Sequence, residues 1–78
     1  MATKYITTYI NYTGSVINVG HNTLLGAVKC VCNLLRLGLG DIILHGNGPA
    51  PLLIISNGTL PYCRVRPYLR RRVWAAMR

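Results

Sequence analysis

Residues 16–52, VINVGHNTLLGAVKCVCNLLRLGLGDIILHGNGPAPL, decide how the rest of the chain is read. Val16-Ile17-Asn18-Val19 has the composition of a strand, which Gly20 ends. Asn22 or Thr23 can then cap a helix by accepting free backbone N–H groups. Leu24, Leu25, Ala27, Val28, Val31, Cys32, Leu34 and Leu35 recur at three- and four-residue steps, which predicts an amphipathic helix over 24–37. Lys29, Asn33 and Arg36 fall on its other side. Gly26 reads as a point of close approach to a sheet, and Gly38 and Gly40 as the left-handed stop. Asp41-Ile42-Ile43-Leu44 is an apolar run suited to a strand buried on both faces, and His45-Gly46-Asn47-Gly48-Pro49 is a loop. The unit is strand–helix–strand, the core on which the other segments are placed.

Working outward, residues 1–15 read as a strand and turn arm. Tyr5, Thr7 and Tyr9 alternate with Ile6, Thr8 and Ile10, and Thr13-Gly14-Ser15 supplies the turn. Downstream, apolar runs flank Asn57-Gly58, a pair that readily takes the positive φ angles of a type I′ turn, so 53–66 reads as a hairpin. Pro61 demotes its return strand to a sheet edge. Residues 67–78 form an arginine-rich C-terminal helix with Leu69, Val73, Trp74 and Met77 on one stripe, Arg70 and Arg71 off it and Arg72 at its margin. The expected fold is α+β: one small domain with a short mixed sheet, one main amphipathic helix and a basic C-terminal helix.

Composition narrows the function. At 78 residues and 51% hydrophobic, the chain is too apolar for a disordered basic tail. It is also small enough that a homo- or hetero-oligomer is the expected source of extra stability. Nine Lys and Arg face a single acid, Asp41, for a formal charge of +8. Six of the nine (Arg64, Arg66, Arg70, Arg71, Arg72 and Arg78) lie in the last fifteen residues, the electrostatic footprint of a surface that meets phosphate backbones. An anionic membrane surface attracts such a cluster for the same reason.

Several classes are excluded. Cys30 and Cys32 are two residues apart on a helix and cannot bridge each other, and with Cys63 the count is odd. The three read as free thiols in a reducing compartment, and no signal peptide is read at the N-terminus, so the expected location is intracellular, in cytoplasm, nucleus or nucleoid. Cys-x-Cys with scattered His21 and His45 is no zinc pattern, and no cofactor is expected. One carboxylate rules out paired-acid chemistry, and no nucleophile–base arrangement is present, so no enzymatic activity is expected. Gly46-Asn47-Gly48 lacks both the third glycine of a dinucleotide site and the Gly-Lys-Ser/Thr of a P-loop. The apolar stretches are broken well short of the roughly 20 residues of a transmembrane helix.

The order strand (Val16 to Gly20), helix (Leu24 to Leu37), Gly38, acidic residue and Ile-rich strand, then Gly-x-Gly and small residues through Ala50, resembles the first half of the Alba superfamily. That family comprises archaeal chromatin proteins and small protein subunits of ribonuclease P and MRP. The resemblance implies an α/β sandwich that dimerises and binds DNA or RNA. The family's basic pair after the first strand would fall at His21 and Asn22, and its second helix would begin near Ala50, where this chain reads as a hairpin. If the fold is Alba-like, either phosphate binding has moved to the C-terminal arginines or the second half is a different structure.

The expected function is backbone-directed, largely sequence-independent binding of nucleic acid, RNA slightly preferred over DNA, by a dimer or within a ribonucleoprotein. The expected interface is Lys29, Arg64, Arg66, Arg70, Arg71, Arg72 and Arg78, with Trp74, Tyr68 or Tyr62 to stack on bases. The alternative is a self-assembling structural or accessory protein, viral for instance, whose arginines meet an acidic partner or an anionic membrane.

Overall fold

The computed structural model describes residues 4–77, leaving Arg78, an expected interface residue, outside the described residues. Five strands form one sheet: β1 (Tyr5–Ile10), β2 (Val16–His21), β3 (Ile42–His45), β4 (Pro51–Ser56) and β5 (Thr59–Cys63). Helix α1 (Leu24–Arg36) connects β2 to β3, and α2 (Pro67–Met77) follows β5. The strand order is β2-β1-β3-β4-β5, and every neighbouring pair is antiparallel. The domain is thus α+β as expected, but its sheet is antiparallel rather than mixed.

The difference traces to β1, which is no arm. It lies between β2 and β3, with Thr7 opposite Val19 on one side and Leu44 on the other. The strands that flank α1 therefore run in the same direction but never touch, because β1 supplies the hydrogen bonds of both. Thr7 is fully buried, and its hydroxyl shares a 3.0 Å hydrogen bond with His21 Nε2, so this polar group is satisfied inside the core.

Both helices cover one face of the sheet. Val28, Val31, Leu69 and Val73 join Ile42, Leu44, Leu53 and Ile55 in a single buried cluster. Alternation is clean along β3, where Ile42 and Leu44 are buried while Ile43 and His45 are only partly so. The expectation of a strand buried on both faces fails at Ile43, since no second layer among the described residues covers that side. The 53–66 hairpin is present, with its first strand starting at Pro51; Asn57 and Gly58 both take positive φ, 52° and 76°, as a type I′ turn requires.

Helix ends follow local chemistry. Thr23 caps α1, its Oγ1 accepting from the Gly26 N–H at 3.1 Å. Gly26 has its place here rather than against the sheet: an added Cβ would stand 3.0 Å from that capping oxygen. Gly38, at φ 88°, makes the left-handed stop. Gly40 does not share that role. It lies against the β4–β5 turn, its carbonyl accepting from the Gly58 N–H at 3.2 Å, while Asp41 Oδ1 accepts from the Asn57 N–H at 3.2 Å. Pro67 opens α2 at a position where its missing N–H costs nothing.

Gly38, Gly40 and the loop glycine Gly48 separate in a urea titration. Gly38→Ala, in open space but at positive φ, is expected to cost about 1 kcal/mol. Gly40→Ala is expected to cost more, about 1–3 kcal/mol, because its Cβ would stand 3.0 Å from the Gly58 backbone nitrogen. Gly48→Ala, with neither constraint, is expected to be neutral or to stabilise by up to about 1 kcal/mol.

Candidate functional site

The helical layer carries the charge. On α1, Lys29, Asn33 and Arg36 stand four and three residues apart, which aligns them along one face. On α2, buried Leu69 and Val73 fix the rotation of the helix about its axis. Successive residues on a helix point about 100° apart, so Arg70, Arg71 and Arg72 fan out rather than cluster. Arg72 turns toward α1, where it and Ala75 line a groove with Lys29, Cys32, Asn33 and Arg36. Three cations from two helices, 43 residues apart at their extremes in the chain, thereby meet across one cleft.

The thiol at the bottom of the groove reports the same convergence. Cys32 is buried, which pushes its pKa up, while Arg36 and then Arg72 pull it back by favouring the thiolate. Both guanidiniums therefore act on one sulfur. No carboxylate relieves them: the chain's single acid, Asp41, is engaged at the β4–β5 turn.

The placement of charge on α2 opposes the helix's own preference. Its N-terminal end is electropositive, yet Arg66 precedes it, Arg70 and Arg71 follow within two turns, no acid stands in its first turn and no cation in its last. Packing of Leu69 and Val73 must hold the helix against this repulsion.

The expected interface residues thus divide. Lys29 and Arg72 share the groove, and Arg36, which the chain-local count of arginines passed over, completes it. Its position four residues after Cys32 and seven after Lys29 was the available signal. Tyr68 is 58% exposed and precedes Arg72 by four residues, one turn along the same side. Arg70 and Arg71 are exposed on other flanks of α2, and Arg66 is exposed just before it. Arg64 lies elsewhere, in a pocket with Tyr5, Leu24, Leu52 and the 46–50 loop. Trp74 is not on the buried stripe: it is 53% exposed and lines a separate depression with Gly58, Thr59, Leu60 and Met77. Tyr62, on β5, is remote from the groove. Among the described residues no group of three His, Cys, Asp or Glu side chains could hold a metal, and no helix is long and apolar enough to cross a membrane. No family model, curated protein or solved structure matches the chain.

Burial also pushes the Cys30 thiol up, offset in part by a hydrogen bond with Thr7. Folded-state values above the unfolded one mean that the neutral thiols stabilise the fold at lower pH, and that this contribution is lost as pH rises through the folded values. The urea midpoint is expected to hold near neutrality and to fall above about pH 8.5. In a Cys30→Ala/Cys32→Ala variant the slope of that fall should be shallower; an identical pH profile would show that the thiols contribute nothing to it.

Proposed function

We propose that the chain is a non-catalytic nucleic-acid-binding protein that grips phosphate backbones with its helical face, in a reducing compartment of the cell. The observation that carries this reading is the convergence of Lys29, Arg36 and Arg72 on one groove without a neighbouring acid. Guanidinium forks suit phosphate oxygens, and the Asn33 amide adds a donor and an acceptor. Arg66, Arg70 and Arg71 extend the cationic surface beyond the groove. Tyr68 beside Arg72 offers a stacking surface for an unpaired base, which favours single-stranded RNA slightly over duplex DNA. The resemblance of residues 16–50 to the Alba superfamily agrees in partner class. In this reading cations of α1 and α2 take the place of the family's basic pair, which here would be His21 and Asn22. The protein acts as a dimer or as one component of a ribonucleoprotein.

Fluorescence anisotropy with a labelled single-stranded RNA and the matching DNA duplex tests it. The logarithm of affinity should fall linearly with the logarithm of salt concentration. Lys29→Ala/Arg36→Ala/Arg72→Ala should flatten that slope by about two to three, since each phosphate contact contributes about 0.7–0.9. The paired Arg70→Ala/Arg71→Ala variant should weaken binding less. A slope near zero, or preferential binding of phosphatidylserine vesicles over both nucleic acids, would overturn the assignment in favour of a membrane or assembly role.

A further inference from the structure

The strands contain no Lys, Arg, Asp or Glu. Charge is confined to the helices and to the segments between elements, so the molecule has one cationic wall and one uncharged wall. The uncharged wall is the face of the sheet away from the helices. Its middle row, given by the strand register, runs Asn18, Thr8, Ile43, Ile54 and Tyr62 across all five strands. Ile6, Ile10 and Val16 flank that row at 41%, 44% and 62% exposure. Ile10, Val16, Ile43 and Ile54 also line a shallow, mainly apolar trough on this wall. The polar pair in the row is already satisfied, Thr8 Oγ1 donating to Asn18 Oδ1 at 2.6 Å, so it can be buried without losing a hydrogen bond.

We infer that this wall binds a second copy of the chain, sheet against sheet. Charge selects the occupant. Two molecules of formal charge +8 repel wherever their arginines meet, and this wall brings two copies together through strands that carry no cation. Lys4, Asp41 and Arg64 stand at the ends of strands, before β1, before β3 and after β5 respectively, with Asp41 at the rim of the trough. Area points the same way. Five strands of four to six residues, at about 3.3 Å per residue and about 4.8 Å apart, give a footprint of roughly 430 Å² before side-chain relief is counted. Two such faces present about 860 Å², which the relief of protruding side chains brings to the roughly 1,000 Å² that a specific interface should clear. The fold itself calls for the layer: a sheet covered on one side only, in a slab of 30 × 29 × 19 Å, becomes a four-layer particle with a second apolar core. The same patch meets itself, as a two-fold axis requires. This inference does not depend on the nucleic-acid reading.

Sedimentation equilibrium of the full chain across a concentration series, at physiological and at high salt, tests it. The wild type should have twice the 8.6 kDa chain mass, and high salt should preserve or strengthen the dimer because no ion pair holds it. Ile43→Lys places two opposed charges in the interface and should raise the dimer dissociation constant at least about 100-fold. Ile10→Lys, at a more exposed position where folding is safer, should act in the same direction with an unchanged circular dichroism spectrum. Lys29→Ala/Arg36→Ala/Arg72→Ala should remain dimeric, whatever it does to nucleic-acid binding. A wild type that stays monomeric at high concentration overturns the inference, and so does a folded Ile10→Lys protein that dimerises as the wild type does.

Discussion

Nine cations and one carboxylate must share a small domain, and the fold depends on keeping charge out of the five strands. Strands close enough to pair would set arginines a few ångström apart with nothing to neutralise them. The chain avoids this by building its strands only from uncharged residues and by lifting Lys29, Arg36 and Arg70–Arg72 onto helices, whose outward faces are wet. The one acid is spent on neither an arginine nor a site: its carboxylate accepts from the Asn57 backbone and holds the β4–β5 turn against the loop that leaves α1. That contact, with the Gly40–Gly58 hydrogen bond beside it, fastens the end of the helical connection to the far hairpin of the sheet.

Such segregation explains why the helical layer can carry unfavourable charge at all. Leu69 and Val73 are completely or almost completely buried, and they anchor α2 with enough apolar area to overcome a repulsive first turn. The groove beside it is a by-product of that anchoring. Once Leu69 and Val73 face the core, Arg72 has only the cleft toward α1 to occupy, and Lys29 and Arg36 are already on its far side.

What could be read from the residues was what depends on near neighbours. Thr23 followed by an apolar stripe, Gly38 at its end and Asn57-Gly58 between two apolar runs each carry their geometry in two or three consecutive side chains. Nothing local tells that β1 sits between β2 and β3, because its β3 partners are more than thirty residues away and the pattern Tyr-Ile-Thr-Thr-Tyr-Ile pairs equally well at an edge. Ile42-Ile43-Leu44 reads alike whether the far side of the sheet is covered or bare. The groove was hidden for a related reason. Counting arginines along the chain favours the 70–72 run, whereas helical geometry scatters that run and recruits Arg36 from an element formed much earlier. Trp74 moved off the buried stripe because the rotation of α2 is set by the two smaller side chains packed deepest.

The fanning of Arg70, Arg71 and Arg72 has a consequence for how a polyanion would be organised. A helix that presents a cation in each of three directions does not dictate the angle at which a strand crosses it, so one copy can be approached by two strands at once. If copies were also joined back to back through their sheets, their cationic walls would face opposite ways. The unit would then be a spacer that draws separate segments of polyanion together and sets the gap between them, an activity closer to compaction than to recognition.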